Sequence, residues 1–358
     1  MRSERWIGRT VVLLAAMCLA GSCQTAPDKS LKAKFERTVE LDQVFSPGSQ
    51  LTVSTASGAI EIVGQEADNV HVIAKIVARA PTKEDAQDLA EMIVVGLEPT
   101  ANGLELRVGR PAPASKRSVS VSYKIIVPRQ TNIDCASLSG SIEIAELLGD
   151  VAGRTASGAI EIARVTGSLR VHSTSGPVRC EKIDGGDVSL ESMSGGVHLS
   201  DASNIGTCHM GAASGSLTAK KVEAQFIQMR ATSGAVTLNT AQAETIDLHS
   251  VSSRISAKDV SCERLQAEST SGDVSVTFAR EAPGNVAAGA KSGSGSISVV
   301  MPRDFAGRVD LLANSGTVHM KQPVEMPQKL REGHVSGTVG QGSGSLFVRA
   351  GSGTVNIR

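Results

Sequence analysis

One short motif recurs at a nearly fixed spacing, and that spacing restricts what the chain can fold into. The eight residues 55–62 (TASGAIEI) return identically at 155–162. Relaxed to Ser-Gly-x-aliphatic-x-aliphatic, the motif places its serine at Ser139, Ser157, Ser175, Ser194, Ser214, Ser233, Ser252 and Ser271, at intervals of 18, 18, 19, 20, 19, 19 and 19 residues. The glycine stands at Gly140, Gly158, Gly176, Gly195, Gly215, Gly234 and Gly272, and only the Ser252 copy replaces it, with Ser253. Looser copies follow at Ser294, Ser315, Ser343 and Ser352.

With each serine counted as zero, positions +3 and +5 are nearly always apolar, as in Ile142 and Ile144 or Val236 and Leu238. Positions −6 and −4 repeat the pattern (Val188 and Leu190, Ile246 and Leu248), and a third apolar site lies near −11 (Ile183, Val222, Val260). Alternation at period two marks half-buried strands. A unit this short cannot bury its own apolar face, but stacked units can, each strand pairing with its copies above and below. The expected fold is mainly β, a parallel β-helix-like β-solenoid of ~19-residue rungs. Eight regular rungs at a strand spacing near 4.8 Å would span roughly 40 Å. Glycine at +1 is read as the permissive backbone of a tight corner, with small residues at −2 inside it. The serine at zero is read as turn chemistry rather than a row of nucleophiles, because no His or carboxylate recurs at one offset to act as its base.

The flanks read differently. Arg2, Arg5 and Arg9 precede an apolar run at 11–20, too short to span a bilayer and fitting a signal peptide. Residues 19–23 (LAGSC) resemble a lipobox, so residues 1–22 are expected to be removed and Cys23 lipid-modified, with residues 23–35 as a polar tether. Gln24 after Cys23 points to the outer membrane rather than inner-membrane retention. Residues 36–130 are expected to form a β-rich segment with strands near 70–78, 104–108 and 119–127 and one helix near 82–95, capped by Thr82 and stopped by Gly96. That segment would cap the solenoid and cover an otherwise exposed edge. Residues 131–300 hold the regular repeats, and residues 301–358 read as irregular repeats and a closing cap.

The SGAIEI copies at Ser57 and Ser157 and SGSIEI at Ser139, with VSYKIIVP at 121–128, resemble a bacterial adhesin-like family, a β-strand repeat-containing domain of unknown function. The resemblance runs from about residue 38 to the end. It implies envelope location and no known enzymatic activity, and it carries over no functional residues.

Composition narrows the function. Lys+Arg and Asp+Glu are 36 each; without residues 1–22, 33 cationic and 35 anionic residues remain, a net charge of −2. A phosphate-gripping surface needs a basic excess, so no nucleic-acid partner is expected. Eight aromatic residues leave little for base- or sugar-stacking platforms. Cys135, Cys180, Cys208 and Cys262 fall at offsets −4, +5, −6 and −9 and read as small core residues rather than disulfides. The histidines share no convergent set, so no metal or other cofactor is expected. The sharpest catalytic hint is Glu143 beside Glu161 on adjacent rungs of the outward +4 column, next to Arg179. No face carries charge of one sign.

The leading expectation is therefore a non-catalytic lipoprotein of the cell envelope, an adhesin-like display or binding module. It would be held to the membrane by its lipid and meet a protein or glycan along one face. An envelope-stress sensor or structural partner acting by protein contact is the alternative, and a glycan-active β-helix enzyme a remote one.

Overall fold

The computed structural model describes residues 32–109, 117–321, 325–331 and 333–358. The signal segment and Cys23 lie outside the described residues. The fold is mainly β, an open stack of parallel strands with one helix among the described residues. In each regular rung the chain leaves the Ser-Gly corner, runs a strand from +3, bends at +7, and returns along a strand from −6 to −2. Successive rungs pair in parallel and in register: Ile160 with Val178, Val178 with Val197, Leu217 with Val236, Val236 with Ile255. Side chains at +3, +5, +8, −6 and −4 point inward and form one continuous core.

The corner works differently from the expectation. Glycine at +1 is required by close approach. A Cβ on Gly140, Gly158, Gly176, Gly195, Gly215 or Gly234 would fall between 1.7 and 2.1 Å from the carbonyl oxygen of the glycine one rung below. Where a hydroxyl stands at −2, it and not the serine at zero closes the turn; the Ser214 and Ser233 corners have Ala212 and Ala231 there. Gly140, Gly158, Gly176 and Gly195 donate their N–H to Ser137, Thr155, Ser173 and Ser192 at 2.7–2.9 Å. These hydroxyls are buried, and leaving such amides unpaired would cost about 1–3 kcal/mol each. The serines at zero, from Ser139 to Ser271, are exposed.

The bend at +7 is a second unanticipated feature. Glu146, Arg164, Lys182, Asp201, Lys221, Thr240 and Asp259 all have φ between 52° and 63°. Seven consecutive rungs thus hold a non-glycine residue in the left-handed region. The drift in rung length has a structural cause too. The 18-residue rungs close with a short turn through Gly149 or Gly167. From Ser194 onward the longer rungs run a third strand stretch, with Ile205 paired to Ala224, Ala224 to Ala243 and Ala243 to Cys262.

The copy at Ser57 belongs to the stack. Gln50–Thr55 pairs with Asn132–Ser137, and Ile60–Gln65 pairs with Ile142–Leu148, so residues 50–65 form a rung directly on the Ser139 rung. The residues between them make the cap. Ser118–Pro128 adds in parallel to Ile60–Gln65, then Asn69–Ala80 and Ala33–Val44 follow antiparallel. Gly103–Gly109 and Val94–Thr100 extend the other sheet. The helix spans Lys83–Glu91; Thr82 Oγ1 accepts the Asp85 N–H at 3.1 Å, and Ala86, Leu89 and Ala90 are buried. It ends before Gly96, which lies in the strand Val94–Thr100. Its last carbonyls are met by the Arg37 guanidinium, which donates to Ala90 and Ile93 at 3.2 Å each. The edge strand Ala33–Val44 carries Lys34, Glu36, Glu40 and Asp42 outward, a charged fringe that discourages pairing with another chain. Hydrogen bonds from Lys34 and Lys75 hold the Glu36 carboxyl down to about 2.

At the far end the stack continues past residue 301, in an order different from the sequence. Gly344–Ser352 lies between Ala287–Ser294 and Gly307–Ser315, parallel to both, and Val355–Ile357 lies between Ile297–Val300 and Val318–Met320. His334–Val339 then covers Gly307–Ser315 antiparallel. Ser343 marks no corner; the apolar residues after it, Leu346 and Val348, are the −6 and −4 positions of the Ser352 rung.

Candidate functional site

The solenoid places outward side chains in straight columns, one strand spacing apart, so any site here is a face rather than a cleft. Like charges stacked at about 4.8 Å repel, and most columns avoid this by alternating sign. On the sheet built from the −6 to −2 strands, Arg154 reaches diagonally to Asp134 of the neighbouring column at 2.8 Å and Arg230 likewise to Asp247 at 3.3 Å, while Lys291 pairs with Glu268 within its own column at 2.6 Å. Lys291 and then Gln266 hydrogen-bond Glu268 and hold its carboxyl below the usual carboxylate range. His209 joins Glu191 at 3.7 Å and Gln228 at 3.0 Å. At the left-handed bend, Arg164 pairs with Glu146, and Lys221 with Asp201 at 3.1 Å. Exposed pairs of this kind add at most about 1 kcal/mol each; their larger effect is to cancel repulsion within a column.

Two faces break the rule. On the +4 column Glu143 lies beside Glu161 as expected, but Glu61 also pairs with Glu143, giving three stacked carboxylates. Lys124 closes one end, 3.5 Å from Glu61, and Arg179 the other, 3.3 Å from Glu161. Among the described residues Glu143 has no cation of its own. Glu61 and Lys124 arrive from the chain upstream of the regular repeats, and the identical TASGAIEI copy was the signal that could have placed Glu61 there. The second exception is the third strand stretch, where Glu223, Glu244 and Glu263 line a shallow depression with Gln225 and Gln242. None of these three glutamates has an ion pair among the described residues, so this face does carry charge of one sign. The residues that create it lie at +9 to +11, positions that earlier rungs fill with Thr166, Ser168, Asp184 and Gly186.

Among the described residues no three His, Cys, Asp or Glu side chains converge to hold a metal ion. Glu143 and Glu161 share one face of one sheet, in an open depression that Glu61, Glu181, Arg179 and His198 also line. The exposed serines at Ser139, Ser157, Ser175, Ser194, Ser214, Ser233 and Ser271 stand in one column with the buried carbonyl-on-glycine column behind them, and no base recurs beside them.

All four cysteines among the described residues are free and buried. Burial pushes the thiols of Cys208 and Cys262 up to about 12 and raises those of Cys135 and Cys180 as well. A shift of that size suppresses thiolate at pH 8 by about a thousandfold. Iodoacetamide at pH 8 is therefore expected to leave all four unmodified in the folded protein and to label all four in denaturant, read by intact mass. Rapid native labelling of Cys262 would place its strand out of the stack.

Among the described residues no helix is long and apolar enough to cross a membrane. No curated protein matches the chain. Solved structures that resemble it include a "putative lipid binding protein" from Parabacteroides distasonis, 13% identical, covering 91% of this chain and 97% of that one at a TM-score of 0.33. Others are a "putative adhesin" from Parabacteroides merdae (10% identical, 90% and 96% covered, TM-score 0.39) and one from Bacteroides fragilis (12%, 90% and 97%, TM-score 0.26). At such scores the superposition carries no argument about role. The family model described as Toastrack DUF4097 matches residues 185–358, from the first 19-residue rung through the inserted one, so this part of the chain is similar to that family.

Proposed function

We propose that the protein is a non-catalytic display or binding module of the bacterial envelope, adhesin-like in role and held to a membrane by a lipid on Cys23. The observation that carries this reading is the layout of its outward side chains. They stand in rows on a rigid stack, matched in charge along most columns and converging nowhere. Such a surface suits contact with an extended protein or glycan partner. The unpaired glutamates Glu223, Glu244 and Glu263 give it one face with a charge preference, for a cationic partner.

The test is a fractionation and protease experiment in the native host. Wild type is expected in the membrane fraction with a lipid-sized mass increase on the mature chain, and Cys23→Ala in the soluble fraction without it. An unchanged mass and unchanged fractionation for Cys23→Ala would remove the anchor. Cleavage of the stack by protease on intact cells would support surface display. Protection until permeabilisation would instead favour contact with partners inside the envelope and end the adhesin-like assignment.

A further inference from the structure

The rung that ends the sequence does not end the stack. Residues 344–358 lie between the rung at 287–301 and the rung at 307–320, which precede them in the chain. This rung therefore enters a gap between two segments synthesised before it. What makes the gap notable is the sequence beyond it. Residues 313–320 read ANSGTVHM and residues 350–357 read AGSGTVNI. The match extends to position in the stack. Val309, Leu311 and Ala313 point inward in register with Leu346, Val348 and Ala350. Gly316 supplies the bare corner that Gly353 supplies, so it can sit over Gly295 as Gly353 does. Thr317 stands where Thr354 donates its N–H to Ser296 Oγ.

Most of what rung 287–301 requires of its upper neighbour is thus present twice; the exception is Gly351, where a Cβ would fall 2.3 Å from the Gly293 carbonyl oxygen and where the other copy has Asn314, so the exchanged rung must shift locally at that residue. The outer edge of Gly307–Ser315 is already covered by His334–Val339, and a one-rung descent of about 4.8 Å would carry that cover along. The link between the two, residues 340–343, is Gly-Gln-Gly-Ser, with Gly340 at φ +57°. One contact belongs to the inserted arrangement alone: Arg349 pairs with Asp310 at 2.7 Å.

We propose that residues 344–358 are an exchangeable closing strand. In the alternative arrangement residues 307–320 stack directly on 287–301 and the last fifteen residues are released as a free β-competent segment. The inference does not depend on the display reading; it concerns how this end of the stack closes.

Disulfide trapping in the full-length mature protein separates the two arrangements. Ser298, Asn356 and His319 occupy the same outward +4 position on successive rungs, with Asn356 between the other two. Ser298→Cys with Asn356→Cys reports the inserted form. Ser298→Cys with His319→Cys spans two rungs, roughly 9.6 Å, beyond disulfide reach of about 7 Å, and closes only after the exchange. The second pair is expected to oxidise more slowly than the first but to completion, and the trapped species should lose residues 344–358 to protease at least about tenfold faster than wild type. Arg349→Ala should speed its closure by about two- to fivefold. If the 298/319 pair stays reduced while the 298/356 pair oxidises fully, the exchange does not occur. Should a cysteine pair fail to fold, hydrogen exchange on the unaltered protein decides. Amides of 345–357 exchanging as one block, faster than those of Ile255–Ser269, support release, and equal protection overturns it.

Discussion

Gly176→Ala is expected to lower stability by about 3 kcal/mol, while Ser175→Ala, one residue away, is expected to change it by less than about 0.5 kcal/mol. The two residues spell the same motif but sit in opposite environments. Ser175 is exposed, and a lost hydroxyl there is replaced by water. Gly176 is buried in the corner, and its new methyl would lie 1.7 Å from the Gly158 carbonyl oxygen, a backbone atom that cannot rotate away. Relief requires the two rungs to part locally, which stretches the bonds that Thr174 N–H and Ser175 N–H donate to the Thr155 and Ala156 carbonyls, 3.0 Å each in the native stack, and distorts the corner that Gly176 N–H closes on Ser173 Oγ at 2.9 Å. The chain contains one instance of such relief. Ser253 takes the glycine position, its N–H reaches Ser250 Oγ at a longer 3.2 Å, and its hydroxyl recovers a bond to the Ser233 carbonyl at 2.7 Å. Alanine has no hydroxyl to recover with, so it should be worse than the serine. The measurement is the urea midpoint of both variants at unchanged m-value. A Gly176→Ala midpoint equal to wild type would show that the corner yields freely and that the glycine column is not a packing requirement.

The parts of this fold that the sequence discloses are those that repeat. Apolar residues at +3, +5, −6 and −4 recur because each must meet its own copy above and below, so one rung read correctly places the others. The strand near 119–127 and the Thr82 cap are likewise legible from ordinary alternation and capping. What escaped reading has two causes. The first is chain order. Glu61 and Lys124 stand beside Glu143 and Glu161 only because residues 66–128 leave the stack and return, and the Ser352 rung precedes the Ser315 rung in space only because the chain doubles back. Spacing along the sequence has no access to either. The second is backbone geometry without a residue signature. At +7 the seven left-handed residues are Glu, Arg, Lys, Asp, Lys, Thr and Asp, and nothing in that set marks a positive φ, where glycine or asparagine would have. The glutamate row at Glu223, Glu244 and Glu263 was hidden for a related reason. Earlier rungs hold Thr166, Ser168, Asp184 and Gly186 at the same positions, and a single averaged repeat erases the difference.

That left-handed column yields the second prediction. Thr240→Gly is expected to raise stability by about 1 kcal/mol, and Thr240→Pro to lower it by about 3 kcal/mol or more. Thr240 has φ 53°, where a β-branched residue is crowded by its own backbone. Glycine removes that crowding. Its gain is reduced by the greater freedom of an unfolded glycine and by loss of the 3.3 Å bond from Thr240 Oγ1 to Asp259, which is why about 1 kcal/mol rather than about 2 kcal/mol is expected. Proline fixes φ at about −65° and cannot make the bend at all. The strand stretches on either side of it, with Leu238 and Ile246 fully buried, would then be pulled out of register with the neighbouring rungs, where Leu238 stands between Ala219 and Ala257. Equilibrium urea unfolding of both variants checks the pair. A Thr240→Gly protein less stable than wild type by more than about 1 kcal/mol would mean that outward side chains at +7 hold the bend together. The predicted sign says the reverse: seven rungs accept a strained backbone in order to set a side chain at that edge, where Glu146 meets Arg164 and Asp201 meets Lys221. A stack tuned for stability alone would place glycine or asparagine there. The residues present are those of a surface that projects charge, in keeping with the contact role proposed above.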